Sequence, residues 1–198
     1  MEDQQRPRAV VGAGLMGHGI AQVLAAQPGP VRLYDVEPDA LDRAMGRIGE
    51  SLELLVAHGL LSGSHRDNIL GRIVTTTDLA EAVESAWFVI EAAPEERGLK
   101  RRLFADLDRL VPDDAILATN SSGLPLGEIA ANVRRRERMV GSHFFMPAQL
   151  IPLVEVSRGA TTSDLTMDRT VALWEACGKK PIRVEQDIPG YVANRLQA

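Results

Sequence analysis

The chain has 198 residues, 45% hydrophobic and 25% charged, a composition that supports a globular core of ordinary size. A formal net charge of −5 argues against nucleic acid or an anionic membrane surface as the main partner. One cysteine excludes an intramolecular disulfide and a cysteine-based zinc site, and the four histidines show no recurring metal-ligand spacing, so no metal is expected.

The N-terminal "MEDQQRPRAV" lacks the apolar core of a signal peptide, and apolar patches such as "LELLVAHGLL" are too short to span a bilayer. With the lone cysteine, this predicts a reducing, cytoplasmic setting. Apolar, β-branched runs then alternate with helix-like segments. Strands are expected at 8–12, 31–35, 72–76, 87–91, 115–119, 138–143, 152–157 and 181–185. Helices fill most gaps. The longest covers 38–58, with a proline in its first turn, a second and shorter one runs on toward Gly71, and another spans 164–178, closed by Gly178. This order predicts an α/β fold, a Rossmann-type doubly wound and mostly parallel sheet, over residues 1–187. The run "RRRER" at 134–138 reads as a solvated turn. After the last strand, "DIPGYVANRLQA" reads as a turn and the first turns of a new helix, so 188–198 are assigned to the start of a C-terminal helical domain.

"VVGAGLMGHGIAQVLAA" places G-x-G-x-x-G at Gly12, Gly14 and Gly17 between the first strand and the first helix. There the first glycine allows a tight turn, the second lets the backbone approach a pyrophosphate, and the third lets helix and strand pack closely. Leu15 and Met16, inside the motif, are assigned to the same cofactor site. Asp35 ends the second strand, where a carboxylate accepts hydrogen bonds from ribose hydroxyls and repels a 2′-phosphate. No arginine or lysine follows in Val36, Glu37 and Pro38, so NAD is expected rather than NADP.

Near the C-terminal end of the sheet, "GSHFFMPAQLIPLVEV" sets His143 in one apolar run and Glu155 in the next. With period 2, His143 shares a face with Met139, Gly141 and Phe145, and Glu155 with Leu153 and Ser157. Two readings stand: a catalytic base with its orienting carboxylate, or a packed histidine and an acid that merely found partners. His18, His58 and His65 read as surface or capping residues.

These motifs, in this order, resemble the NAD-dependent 3-hydroxyacyl-CoA dehydrogenases from "VVGAGLMG" to "GYVANRLQ". In "VIEAAPEERGLKRRLF" the resemblance places Glu95 and Lys100 beside the nicotinamide half of NAD, although the two could also form a solvated helix-start pair. In "TNSSG" it places the substrate-contacting serine, also assigned to the cofactor, at Ser122. "GSHFF" then supplies the catalytic His143, "PLVEV" the orienting Glu155, and "NRLQ" the active-site Asn194. It further implies a C-terminal helical domain that closes the substrate cleft and forms a homodimer. Two departures bear on the substrate. Met146 stands where many relatives have asparagine, and in "ESLELLVAHGLL" Ser51 matches the CoA-contacting serine while Glu53 and His58 follow with no lysine. A dehydrogenase of free hydroxy acids, similar to lambda-crystallin and the gulonate and carnitine dehydrogenases, therefore remains open, as does a cofactor-binding module with little turnover.

Overall fold

The computed structural model describes residues 5–186, so the expectations for 188–198, including Asn194, lie outside the described residues. In chain order the elements are β1 (Arg8–Val11), α1 (Gly17–Ala25), β2 (Val31–Tyr34), α2 (Pro38–Ala57), α3 (Gly63–Arg72), β3 (Ile73–Thr76) and α4 (Leu79–Val83). Then follow β4 (Phe88–Glu91), α5 (Arg97–Leu110), β5 (Ile116–Thr119), α6 (Leu126–Ile129), β6 (Met139–Phe144), β7 (Leu153–Ser157), α7 (Asp164–Ala176) and β8 (Lys180–Val184). All eight expected strands form, each within a residue of its expected start and end.

The strands make one sheet in the order β3-β2-β1-β4-β5-β6-β7-β8. The first six are parallel, which requires crossovers, and helices supply them. Between β6 and β7 the chain has only residues 145–152, too short for a crossover, so β7 turns back antiparallel to β6. β8 runs parallel to β7. Chain direction reverses its order at β1 and β4, and the crevice outside the carboxyl ends of those strands is where sheets of this topology bind ligands.

Period-2 alternation splits the core into two layers. Val10, Phe88, Ile90, Val140 and Phe144 face one side, with Ile20 and Leu24 of α1, Leu41, Ala44, Ile48 and Leu52 of α2, and Trp174 of α7. Ala9, Val11, Val89, Leu117 and Met139 face the other, with Phe104 and Leu107 of α5. Trp174 stands edge-on to Phe88 and to Phe144, at centroid distances of 5.3 and 4.9 Å, and its Nε1 donates to Ser142 Oγ at 3.1 Å. Side chains of Ser62, Asp78 and Ser163 accept from backbone N–H groups at the starts of α3, α4 and α7, while α2 begins with Pro38 instead.

The reading of 134–138 as a solvated turn holds for the exposed Arg134, Arg136 and Glu137 and is corrected at Arg138. Arg138 is buried and donates to Asp108 Oδ1 at 2.6 Å and to the carbonyls of Asp108, Pro112 and Ala115. The backbone N–H of Arg134 donates to the other Asp108 oxygen at 3.1 Å. Five charged residues in a row look like a solvated surface, but one of them fastens β6 to the end of α5.

Candidate active site

The glycine turn is built by steric necessity. Gly12 has φ +108°, and a Cβ there would lie 2.7 Å from the Ala92 carbonyl oxygen. A Cβ on Gly17 would lie 1.7 Å from the Gly12 oxygen, so α1 could not start so close to β1. Gly14 is different: nothing lies within 4 Å of its added Cβ, which would occupy open space beside the cleft. Asp35 braces the turn, since Oδ2 accepts from the Ala13 N–H at 2.8 Å and Oδ1 from the Glu37 N–H at 3.1 Å. His18 caps locally, its Nδ1 2.9 Å from the Gly14 carbonyl oxygen, and His65 meets the N-cap Ser62 of α3. His58 ends α2 as an exposed residue.

A single cleft of about 1070 Å³ runs along the carboxyl ends of the strands. Of the residues expected at the cofactor, Gly12, Gly14, Leu15, Met16, Asp35, Glu95, Lys100 and Ser122 all line it, and His143 lies on its wall. Gly17 sits behind the turn as a packing position. The cleft joins the Asp35 carboxylate, an open glycine backbone and a histidine in one continuous space, which suits an extended dinucleotide.

At the histidine end, β6 and β7 pair so that His143 and Glu155 are directly opposite. Nδ1 of His143 lies 2.8 Å from Oε2 of Glu155, whose side chain is wholly buried, while His143 keeps 6% of its surface exposed. Phe145 tilts against the imidazole at 4.8 Å between centroids. The antiparallel turn that ended the run of parallel strands is therefore what brings the pair together.

Glu95 and Lys100 do not form the solvated pair held open from the sequence. The Lys100 side chain is 1% exposed, and its Nζ donates to Glu91 Oε1 at 2.5 Å and to the Ala93 carbonyl at 3.3 Å, with Glu95 Oε2 at 3.4 Å. Oε1 of Glu95 accepts from Ser121 Oγ at 2.5 Å and from the N–H groups of Ser122, Gly123 and Leu124. Partial burial pushes the Glu95 carboxyl upward, but the Ser121 hydroxyl, the Gly123 and Leu124 N–H groups and Lys100 outweigh it and hold the group below the usual carboxylate range. Ser122 thus projects from a loop clasped by Glu95. Sequence reasoning missed Glu91, Ser121 and Asn120, whose Oδ1 accepts from the Phe144 N–H at 2.9 Å. The available signal for Glu91 was an acid closing the apolar run "WFVIE".

Ser51 does not line the cleft. It sits on α2 with its Oγ 3.5 Å from Gln149 Nε2, beside the turn that joins β6 to β7. Among the described residues no group of three or more His, Cys, Asp or Glu side chains is placed to hold a metal ion, and no helix is long and apolar enough to cross a membrane.

A doubly wound sheet with an open glycine turn, an aspartate ending its second strand and a carboxylate-backed histidine along one cleft has the form of a nicotinamide-dinucleotide dehydrogenase domain. Comparison with known proteins gives the particular family: the description "3-hydroxyacyl-CoA dehydrogenase, NAD binding domain" matches residues 8–188, and the chain belongs to that family. It is 41% identical over 187 residues to a probable 3-hydroxybutyryl-CoA dehydrogenase of Bacillus subtilis, covering 94% of this chain and 64% of the relative. The crystal structure of 3-hydroxybutyryl-CoA dehydrogenase from Escherichia coli is 38% identical with a TM-score of 0.93, covering 97% of this chain and 40% of that one. A diketoreductase acting on dicarbonyl compounds is 32% identical with a TM-score of 0.90, covering 96% of this chain and 68% of that one. The chain thus spans under two thirds of the length of the Bacillus subtilis relative.

Proposed function

We propose that this chain is the cofactor-binding and proton-transfer part of an NAD-dependent dehydrogenase that reversibly oxidises the hydroxyl of a 3-hydroxyacyl-CoA to the 3-oxoacyl-CoA, in fatty-acid or related acyl-CoA metabolism. The observation that carries this reading is His143, backed by buried Glu155, on the wall of the same cleft that Asp35 and the glycine turn line.

Bound NAD would supply the acceptor for the hydride that leaves the carbinol carbon. The chain's own residues then have to manage the hydroxyl proton and the reacting oxygen. With Nδ1 committed to Glu155, the proton sits on Nδ1 and the Nε2 lone pair accepts the hydroxyl proton. The buried carboxylate stabilises the imidazolium so formed, and Nε2 returns the proton in the reverse direction. Ser122, on the loop clasped by Glu95, is assigned to the reacting oxygen, as is Asn194 by family resemblance. Asp35 would bind the adenosine ribose and reject a 2′-phosphate. Ser51 is assigned to the CoA moiety, also by resemblance, from its place on α2. The family resemblance supports a homodimer once the C-terminal helical part is present, and the single cysteine supports a cytoplasmic location.

A second reading, a dehydrogenase of free hydroxy acids, is favoured by one observation: from Ser51 to the end of α2 and its cap the chain carries Glu53 and His58 and no lysine to meet CoA phosphates. The similar diketoreductase fold accords with it. The test is oxidation of NADH with acetoacetyl-CoA, by this chain and by this chain joined to the C-terminal portion of the Bacillus subtilis relative. Turnover by either supports a dehydrogenase. Turnover by neither, with NADH still bound, points to a cofactor-binding module.

A further inference from the structure

Glu91 is wholly buried at the end of β4 and does not line the cleft. A carboxylate in such a place is costly unless each oxygen is well partnered, and here both are. Oε1 accepts from Lys100 Nζ at 2.5 Å and from the Ala93 N–H at 2.7 Å, while Oε2 accepts from Thr119 Oγ1 at 2.6 Å. Thr119 Oγ1 in turn accepts from the Ser121 N–H at 3.2 Å. One side chain therefore reaches the loop after β4, the cation of α5 and the end of β5, and through Thr119 the start of the Ser122 loop. From the cleft side, Glu95 holds that loop through Ser121, Gly123 and Leu124, with Lys100 between the two carboxylates. Ala93, Glu95, Lys100 and Ser122, which Glu91 ties together, all face the cleft.

We propose that Glu91 is a positioning residue for the dinucleotide: acting through Lys100, it fixes the walls of the cleft between the glycine turn and His143, and so sets cofactor affinity without touching the cofactor. This rests on the reading of the cleft as the NAD site. A purely structural role would lower melting temperature and leave NADH affinity in the folded fraction unchanged. A role through Lys100 makes the two residues one unit, so their effects on affinity fail to add.

The experiment is fluorescence titration of NADH into the unmodified chain, Glu91→Gln, Lys100→Met and the double variant, with thermal melts alongside. Glu91→Gln is expected to weaken NADH binding at least tenfold, Lys100→Met by a similar factor, and the double variant no further than Lys100→Met alone. Glu91→Gln binding as tightly as the unmodified chain, or a double variant whose loss is the product of the single losses, would overturn the inference. If Glu91→Gln does not fold, Glu91→Asp, which keeps the charge but draws it back from Lys100, takes its place: NADH binding at least tenfold weaker supports the inference and unchanged affinity overturns it. No NADH binding by the unmodified chain would instead overturn the cofactor reading on which the inference stands.

Discussion

His143 and Glu155 sit directly opposite one another on antiparallel strands, with Nδ1 2.8 Å from Oε2 and the carboxylate shut away from solvent. A histidine held this way presents one tautomer, and removing either partner removes the same function. His143→Gln is expected to lower kcat by a factor of at least about 10² while NADH affinity stays within twofold. Glu155→Gln should cost less, and the double variant no more than His143→Gln alone. Steady-state rates with NADH and acetoacetyl-CoA, beside NADH titrations, check all three.

The three glycines of the turn should separate cleanly by what an added methyl meets. Gly17→Ala, with a Cβ 1.7 Å from the Gly12 oxygen, and Gly12→Ala, strained at φ +108°, are expected to lower melting temperature strongly. Gly14→Ala has open space at its Cβ and should melt like the unmodified chain yet bind NADH at least tenfold more weakly. Thermal melts and NADH titration on the same preparations distinguish packing from pyrophosphate approach.

Asp35→Ala is expected to narrow the preference for NADH over NADPH, because the carboxylate that repels the 2′-phosphate is gone. The same change leaves the Ala13 and Glu37 N–H groups without their acceptor, so stability should also fall by about 1 kcal/mol. Parallel titrations with the two cofactors read the first effect and denaturant unfolding the second. Equal affinities in the unmodified protein would remove the argument from carboxylate repulsion.

Asp108 ties stability to pH. Burial opposes its ionisation, but the Arg138 guanidinium and the Arg134 N–H outweigh burial and hold its carboxyl below the ordinary range. A depressed folded-state value means that the stabilisation is complete above the unfolded-state pKa of about 3.9 and disappears as pH falls through the lower folded value. Asp108→Asn leaves buried Arg138 without its counter-charge and should cost about 3 kcal/mol at neutral pH. The gap between the two proteins should shrink below about pH 4, measured by urea unfolding across the range.

What the sequence displayed and what it hid follow from how each residue announces itself. Strand positions were legible because apolar runs fill both faces of a buried sheet, and Gly12, Gly14, Gly17 and Asp35 were legible because their spacing is tied to a backbone shape. His143 and Glu155 could be placed on strands, but their pairing depends on register across the 145–152 turn, which period-2 alternation does not set. Buried charge was the blind spot. Lys100, Glu91, Asp108 and Arg138 look like surface residues by type, and only tertiary contacts that gather several hydrogen-bond partners around each keep them inside. The position of Ser51 beside Gln149 rather than in the cleft likewise depends on how α2 packs near the β6–β7 turn.

The most direct test of the account is the ratio of specificity constants for acetoacetyl-CoA and acetoacetate with NADH, in this chain joined to the C-terminal portion of the Bacillus subtilis relative, with carnitine and gulonate assayed with NAD alongside. The account predicts at least a tenfold preference for the thioester, about 1.4 kcal/mol of transition-state binding, with thioester turnover lowered by a factor of at least about 10² in His143→Gln. A tenfold preference for the free acids, or thioester turnover that stays near normal in His143→Gln, would contradict it.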